Sequence, residues 1–519
     1  MMKRRQFLTA SSLTVGVPMM LNGMGLNTIS RSKLFNAINM DNDRVLVLIN
    51  LVGGNDGLAT IIPMESFDNL ANHRQNIFIP QNQLLDIGDN MALHPSMTGL
   101  RELYDNAKVN IIHDVGYPDQ NRSHFRSTDI WTSGSPAAEE WTSGWLGRFF
   151  DLNHPGFPTG YPNEEYEDPI AMTMGAQVSS TCQGAISNFS LAVNDPYALT
   201  ELASGGDTFV PNNYYGSELQ FLRTAVEQTN AYSETIVDAA NSGSNMVDYP
   251  DTNIANQLKN IALLISGGLK TKVYVANIGG FDTHADQVDS DSNTVGQHAN
   301  LLQAVSDALN SFQNDLDALG LSEKVVGMTF SEFGRRIKSN DSLGTDHGSA
   351  APLIVFGNCI NPGFMGDPTT IPDQVEVFDG VEMQFDFRDV YGSILMDWFE
   401  VEEDTVKELL YTEFNYMPIL NPCFDTNTKN TIVQAPIDLT CYPNPVSDNM
   451  RISFDSIGEQ IQLSVLDMQG RMIKQIMDRS VAAGTHQLNT DLSNLRSGAY
   501  ILKLSTDKGR QMNKKFMKL

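Results

Sequence analysis

Three short segments combine acidic residues or histidine with glycine next to predicted buried strands. They read GGNDG at 53–57, GGFDTH at 279–284 and GTDHG at 344–348. An open α/β sheet builds its ligand site where strands end. Carboxylate and imidazole groups are the ligands that a divalent metal needs at such a place. The three segments therefore predict a metal site at one edge of a sheet.

The elements that position these segments are predicted from periodicity. Apolar, β-branched runs predict strands at 45–52, 109–113, 272–278, 324–330 and 352–357. Apolar residues at helical spacing from Leu301 to Leu319 predict a crossover helix that stops at Gly320. A second helix is predicted from Ser217 to about residue 240. Strands alternating with helices predict a layered α/β domain over residues 40–415, within which 150–213 receives no assignment.

Charge and length limit the class of protein. A chain of 519 residues is too long for one hydrophobic core, so two or more folded units are expected. The net charge of −28 argues against nucleic acid as a partner, because binding to a duplex needs Lys and Arg to neutralise phosphates. We interpret the acidic surface as a solubilising one.

The N-terminus has the plan of an export signal. A basic segment, KRRQFL at 3–8, precedes a weakly apolar stretch that runs through Leu21. Arg4 and Arg5 resemble the twin-arginine class, whose substrates cross the membrane already folded. We expect a signal peptide over residues 1–30. No later run reaches the ~18 apolar residues that a membrane span requires, so no transmembrane segment is expected in the mature chain.

The composition changes after about residue 415, and residues 416–440 are predicted to be a linker. Residues 441–519 carry 11 Lys and Arg against 7 Asp and Glu, in contrast to the acidic remainder. Apolar residues there alternate with polar ones and glycines separate the runs, which predicts a small all-β sandwich. The opening CYPNPVSD, the central LDMQGR and the late SGAYILKL resemble the type A C-terminal sorting domain of the type IX secretion system. This resemblance implies delivery through the periplasm and across an outer membrane, giving a secreted or cell-surface protein.

The four cysteines show no CxxC spacing, so a zinc ribbon is not expected. Export permits disulfides. Cys423 with Cys441 would staple the linker, and the alternative is unpaired, buried thiols.

The main domain resembles the family known as domain of unknown function 1501. The resemblance is carried by LVGGNDG, NRSHFRSTDIW, GWLGR, GGFDTH, SEFGRR and GTDHGSAAPLIVFG, between residues 51 and 357. That family is suspected to be related to alkaline phosphatases and sulfatases. The resemblance implies an alkaline-phosphatase-like, three-layer α/β/α sandwich.

The order of metal ligands in that superfamily can be carried over residue by residue. Asp56 matches the Asp after the first strand, and Ser123 matches the nucleophile. Asp282 with His284 matches the Asp and nearby His, although the superfamily usually places three residues between the two. The chain departs from the pattern where SEFG replaces SDHG, since Glu332 stands for an aspartate and Phe333 for a histidine. His347 matches the last histidine, which leaves Asp346 as an extra carboxylate.

Two metal sites follow as expectations. Asp282, His284 and His347 would form a zinc-like site with one position open for water or substrate. Asp56, Ser123 and Glu332 would form an all-oxygen site suited to magnesium, calcium or manganese. The alternative is that these are structural residues, hydrogen-bonded to loop backbones at strand ends.

A catalytic reading assigns roles around Ser123. A metal near this hydroxyl would lower its pKa for attack on phosphorus or sulfur. His124 could act as a general acid or simply pack beside the loop. Arg122, together with Arg126, Arg335 and Arg336, could hold an anionic ester group, although a solvated or structural salt bridge is the more common role for any one of them. His298 could replace His284, while His94 and His113 are expected in the core or in support of the site.

We predict an exported, metal-dependent hydrolase of phosphate or sulfate esters on small molecules or polymers. The alternative is a surface-displayed binding or scaffold protein that keeps the fold without turnover. The absence of a GxSxG elbow disfavours a serine hydrolase of another fold. GGNDG also lacks the GxGxxG spacing of a Rossmann nucleotide site.

Overall fold

The computed structural model describes residues 20–21, 24–25, 42–199, 214–421, 423, 439–466, 472–506 and 511–519. The twin-arginine segment and most of the predicted linker lie outside the described residues. The chain divides into two compact units, Met1–Cys423 and Phe424–Leu519. The break between them falls inside the range predicted as linker.

The first unit contains a nine-stranded, mostly parallel sheet. Its strands are β1 (Val45–Val52), β2 (Val109–Gly116), β3 (Ala171–Met174), β4 (Ser190–Val193), β5 (Val273–Gly279), β6 (Val325–Phe330), β7 (Ala351–Gly357), β8 (Gly363–Met365) and β9 (Phe385–Asp386). Their spatial order is β8-β2-β7-β6-β1-β5-β3-β4, with β9 paired to β2. Among these described strands, β7 alone runs antiparallel to its neighbours. The five strands predicted from the sequence are all confirmed.

Helices flank this sheet. They are α1 (Gly57–Thr60), α2 (Phe67–His73), α3 (Thr98–Asp105), α4 (His124–Ser133), α5 (Trp145–Asn153), α6 (Tyr214–Ser242), α7 (Asn253–Ser266), α8 (Gln297–Leu319), α9 (Phe387–Phe399) and α10 (Glu403–Leu409). The predicted crossover helix is confirmed as α8, which ends where Gly320 adopts a left-handed conformation at φ 70°. The predicted second helix is confirmed as α6, and 150–213 supplies the edge strands β3 and β4.

The sheet is covered on both faces. Alternate residues of β1, from Val45 to Leu51, share one apolar core with α3, α6, α7 and α8. On the other side Trp131 of α4 stacks on Phe387 of α9 and lies against Phe330 of β6. Strands covered on both faces read as continuous apolar runs, as VLVLINLV does here. The three-layer α/β/α arrangement expected from the sequence is confirmed.

Short elements complete the first unit. A small antiparallel sheet joins Ile61–Pro63, Leu85–Asp86 and Met91–Leu93, and a hairpin pairs Arg335–Ser339 with Thr345–His347. Single 3-10 turns lie at Gln81–Gln83 and Ser180–Cys182. Within the described residues, no helix combines the length and the apolarity that crossing a membrane demands.

The direction of β7 brings the predicted segments together. The parallel strands β1, β5 and β6 end at one edge, followed by GGNDG, GGFDTH and SEFG. Because β7 runs the opposite way, it begins at that same edge, and GTDHG lies just before it. Four segments far apart in sequence therefore meet where the sheet ends.

The second unit is all-β. Its antiparallel strands are β10 (Leu439–Tyr442), β11 (Asn449–Leu466), β12 (Met472–Asp491), β13 (Gly498–Thr506) and β14 (Gln511–Lys518). Ile461, Leu463 and Val465 are fully buried with Leu502 and Leu504. The predicted alternation of this segment is confirmed.

The pairing of Cys423 with Cys441 considered from the sequence is wrong, and so is the alternative of an unpaired Cys423. Cys423 pairs with Cys359, inside the first unit, while Cys182 and Cys441 are free thiols. The backbone explains the pairing, because Asn421 N–H donates to the carbonyl of Cys359 at 3.0 Å. This bond brings the end of the first unit beside Cys359, a proximity that spacing in the sequence does not reveal.

Candidate metal centre

Three imidazoles and one carboxylate converge at the edge where the strands end. Asp282 Oδ1 lies 3.2 Å from His284 Nε2, 3.2 Å from His347 Nε2 and 3.4 Å from His124 Nε2. The two nitrogens His284 Nε2 and His347 Nε2 are 2.8 Å apart. Ligand atoms of His124, Asp282 and His347 all lie within 4.8 Å of one another, so this group could hold a metal ion. We call these four residues the metal cluster.

The outer nitrogen of each imidazole in the metal cluster has an acceptor. His124 Nδ1 lies 2.7 Å from Glu332 Oε1, and His284 Nδ1 lies 2.9 Å from Asp346 Oδ1. His347 Nδ1 donates to the backbone carbonyl of Arg122 at 2.7 Å. Metal-binding histidines usually donate their second ring nitrogen in this way, which fixes the ring and its tautomer.

The hydrogen bonds at Nδ1 determine which ring nitrogen of each histidine faces Asp282. A neutral histidine that donates through Nδ1 presents a lone pair at Nε2. All three Nε2 lone pairs then lie close to the Asp282 carboxylate, and those of His284 and His347 also face each other. Such an arrangement is repulsive unless a cation or a proton lies between the groups. His124 Nε2 is buried and makes no hydrogen bond, although it lies near Asp282. The donor set therefore fits a divalent cation of the zinc type.

Glycine lets the strands approach closely enough to build this edge. Gly53 has φ +123°, and a Cβ there would lie 2.3 Å from the backbone nitrogen of Asp282. Gly54 has φ +80°, and a Cβ there would lie 2.3 Å from the ring of Phe333. Any larger residue at either position would push Asp282 or Phe333 away from the metal cluster.

A buried arginine supports Asp282. Arg335 is 1% exposed and donates to Asp282 Oδ1 at 2.8 Å and to backbone carbonyls of Gly54 and Phe281. Burial raises the pKa of Asp282, but the hydrogen bond and the positive charge of Arg335 outweigh it and lower the pKa to about 2. Asp282 is thus a carboxylate at any ordinary pH. The N–H groups of Arg335 donate to protein carbonyls and to Asp282. This differs from the role expected from the sequence, in which this guanidinium holds the anionic group of a substrate.

The Asp56 carboxylate is bonded to an arginine and a glutamine outside the metal cluster. Its side chain is fully buried, and both carboxylate oxygens accept from Arg74 Nη1, at 2.9 and 2.7 Å. Gln287 Nε2 donates to Asp56 Oδ2 at 2.6 Å. Burial raises the pKa of Asp56, and Arg74 more than reverses this effect, so the pKa lies below its usual value. These contacts describe a structural ion pair, which is the alternative reading of this aspartate.

Glu332 and Asp346 support histidines. Glu332 Oε1 accepts from the backbone N–H of Gly53 at 2.9 Å as well as from His124. Asp346 pairs with Arg336 at 3.0 Å and with His284. Glu332 is thus bonded to His124 and Gly53, and Asp56 to Arg74 and Gln287, so the all-oxygen site of Asp56, Ser123 and Glu332 stays a prediction. The carboxylates of Glu332 and Asp346 orient the imidazole rings of His124 and His284.

Ser123 lies beside the metal cluster in sequence and precedes α4. Its side chain is exposed, and its hydroxyl makes no capping hydrogen bond to the helix. The neighbouring Arg122 is partly buried and donates through Nη1 to the Phe378 carbonyl at 2.8 Å. The Arg126 side chain donates through Nη2 to the backbone carbonyls of Pro136 and Ala137. Arg126 therefore stabilises the loop after α4, contrary to the expected contact with substrate.

His94, His113 and His298, which the sequence also offered for this site, belong to the core. His94, His113 and His298 are 2%, 1% and 1% exposed. Burial lowers the pKa of His94 to about 3 and the pKa of His113 and His298 to about 4. His298 Nε2 lies 3.0 Å from Asn55 Oδ1, so it cannot take the place of His284 in the metal cluster.

The sequence pattern missed three features of this site. His124 contributes Nε2 to the metal cluster, although it follows no strand and was assigned to proton transfer. Arg74 neutralises the Asp56 carboxylate, and Gln287 donates a hydrogen bond to it. Neither residue lies in a recognisable motif. One signal was available for His124: it follows Ser123 at the start of a helix, next to a segment already assigned to the site.

Glu332→Gln is expected to weaken zinc binding roughly 10- to 100-fold, because a neutral amide is a poorer acceptor for the Nδ1 proton of His124. The glutamine oxygen can still accept from Gly53, so the thermal unfolding temperature should change little. Competition with a chromophoric chelator measures the affinity. Glu164→Gln, an exposed carboxylate in a loop, is the matched control. Unchanged affinity in Glu332→Gln would show that His124 is not a ligand.

Several solved structures resemble the chain at low sequence identity. A protein of Bacteroides thetaiotaomicron, from a study of the metabolism of multiple glycosaminoglycans, is 10% identical, with 83% of this chain and 89% of that chain covered and a TM-score of 0.35. A Vibrio parahaemolyticus protein in the alkaline phosphatase superfamily is 10% identical (84% and 83% covered, TM-score 0.30). The phosphonate monoester hydrolase of Silicibacter pomeroyi is 11% identical (91% and 89% covered, TM-score 0.31). No curated protein matches the chain.

Two family models match the sequence. Residues 440–518 match the secretion system C-terminal sorting domain, which confirms the assignment of the tail. This domain indicates a secreted or cell-surface protein that passes through the type IX secretion system. Residues 80–395, more than half of the chain, match the second model, and the chain therefore belongs to the family described as protein of unknown function (DUF1501).

Proposed function

We propose that this protein is an exported hydrolase of phosphate or sulfate esters that holds one divalent cation on His124, Asp282, His284 and His347. The observation that carries the proposal is the convergence of three Nε2 atoms on Asp282, each ring held by an acceptor at Nδ1. Such a donor set suits zinc better than magnesium or calcium, which prefer oxygen ligands. When bound, the cation would polarise an ester oxygen and lower the pKa of a nearby hydroxyl.

One cation is proposed because Arg335 supplies the second positive charge. Its guanidinium lies 2.8 Å from Asp282 Oδ1 and is buried, so it is fixed beside the cluster. Phe333 packs against the rings of His124 and His347, with centroids 4.9 and 4.6 Å away, at the position where a histidine ligand would be expected. Both features oppose a second metal at this place.

The Ser123 hydroxyl is the proposed nucleophile. It is exposed at the N-terminus of α4, and the unpaired backbone N–H groups of a helix's first turn favour negative charge nearby. Its oxygen would attack phosphorus or sulfur while its proton passes to water. The P–O or S–O bond to the alcohol would break, and the departing alkoxide would take a proton from water. Water would then hydrolyse the seryl ester. Arg122, next to Ser123, is the proposed contact for the anionic group.

A second candidate is a surface-displayed binding protein that keeps the fold without turnover. Phe333 favours it, since an apolar ring at a ligand position removes charge that would stabilise a transition state. Hydrolysis measured before and after removal of metal separates the two candidates.

The test uses 4-nitrophenyl phosphate and 4-nitrophenyl sulfate with the full chain. We expect turnover of one of them to disappear after dialysis against a chelator and to return when zinc is added. Turnover that survives chelation would contradict the metal-dependent mechanism. No turnover of either ester with zinc, magnesium, manganese or calcium would favour the binding protein.

A further inference from the structure

We propose that a cleft beside the metal cluster binds the alcohol half of the substrate, and that Phe378 is the platform on which a hydroxylated six-membered ring of this alcohol stacks. This inference rests on the proposed function and narrows its substrate class. It predicts esters of ring-bearing polyols, such as sugar phosphates or sugar sulfates, over small acyclic esters.

The cleft has a volume of about 310 Å³, enough for one such ring with its substituents. Arg122 and Phe378 lie in its wall, with Tyr117, Gln120, Ser349 and Met383. Arg122, the residue before Ser123 in the chain, connects this wall to the proposed nucleophile.

Phe378 is exposed without being loosely held. Its side chain is 68% exposed. Its carbonyl accepts from Arg122 Nη1 at 2.8 Å, and Arg336 Cζ lies 4.7 Å from its ring centroid. The adjoining turn is closed by a bond from Glu376 N–H to Asp379 Oδ2 at 2.7 Å. A ring with one side against a guanidinium and most of its surface in solvent is suited to stacking.

Direct contacts join this platform to the metal cluster. Arg336 pairs with Asp346 at 3.0 Å, and Asp346 Oδ1 lies 2.9 Å from His284 Nδ1. On the other side, the backbone carbonyl of Arg122 accepts from His347 at 2.7 Å. The platform is therefore held by the same residues that orient two metal-cluster histidines. A substrate whose anionic group lies at the cluster can extend its alcohol half over Phe378.

The rest of the wall favours a hydroxylated ring over a plain aromatic one. Amide, hydroxyl and carboxylate groups surround the platform, contributed by Gln120, Ser349, Asp379 and Glu382. These groups can accept from or donate to ring hydroxyls. Among the described residues, Gln120 Oε1 is a buried acceptor without a hydrogen-bond partner, and a fully apolar ring would leave it so. An aromatic face with polar groups at its edge is complementary to a pyranose, which has apolar faces and hydroxyls at its rim.

The experiment measures binding without turnover, by calorimetry on the zinc-loaded full chain carrying Ser123→Ala. The ring probes are glucose 6-phosphate and glucose 6-sulfate, and the acyclic probes are ethyl phosphate and ethyl sulfate. In this background, Phe378→Ala is expected to weaken the ring probe that binds by about five- to tenfold and to change the matching ethyl ester by less than about twofold. Phe378→Trp should retain ring binding. Ile186→Ala, which removes another exposed apolar side chain (79% exposed), should change neither probe.

The outcomes separate this inference from the proposed function. If the ethyl ester binds but the ring probe binds no tighter, or if Phe378→Ala weakens both equally, the platform is overturned and the ester site stands. If no ester binds before Phe378 is changed, the proposed function fails and the platform fails with it.

Discussion

Ser123→Ala is expected to lower kcat for the hydrolysed 4-nitrophenyl ester on the order of a thousandfold or more, while the zinc content stays at one ion per chain. Removing a nucleophile abolishes the covalent route and leaves only slow attack by water. Zinc should remain because the donors of the metal cluster are ring nitrogens and a carboxylate, and none comes from Ser123. Steady-state kinetics and metal analysis on the same preparation check both halves.

The control for this substitution is Ser290→Ala, an exposed serine in the loop before α8. Normal turnover in Ser123→Ala would mean that water attacks directly and that this serine is not the nucleophile. Loss of zinc together with turnover would mean that the Ser123 hydroxyl helps to bind the cation, as the all-oxygen site predicted.

Asp56→Ala is expected to lower the free energy of unfolding of the first unit by about 3–5 kcal/mol. Asp56 and Arg74 have side chains 0% and 3% exposed, so removing the carboxylate leaves a buried guanidinium without its counter-ion. The four tryptophans all lie in the first unit, at 131, 141, 145 and 398. Denaturant unfolding followed by tryptophan emission therefore reports this unit and excludes the sorting domain.

The double substitution Asp56→Leu with Arg74→Met is the control for the pair. It removes both charges, so it should cost less stability than Asp56→Ala alone. Zinc stoichiometry should stay at one in the folded variants. If Asp56→Ala kept its stability within about 1 kcal/mol and lost zinc, Asp56 would be a ligand and the structural assignment would be wrong.

The edge of the sheet could be predicted because its signals are local. Each parallel strand is a continuous apolar run, and the residues after it, such as Asp282 and His284, sit where strand ends place them. The start of β7 could also be predicted, since an apolar run begins at Pro352 and His347 lies five residues before it. Periodicity and strand ends therefore located most of the metal cluster without coordinates.

The rest depends on contacts between distant residues. His124 becomes part of the metal cluster only because Glu332, 208 positions away, holds its ring. Asp56 resembles a ligand in sequence, and only its bond to Arg74 reveals an ion pair. The disulfide of Cys359 with Cys423 spans 64 positions, and no spacing rule selects it. Side-chain partners of this kind are set by packing, which the local pattern does not record.

Zinc titration of the metal-free full chain, compared between the native sequence and His347→Ala, tests the metal cluster most directly. We predict one tightly bound zinc per native chain and an affinity lower by on the order of a hundredfold or more in His347→Ala, since one of four ligands is lost. No zinc bound by the native chain, or equal affinity in the two proteins, would contradict the assignment of these residues as a metal site.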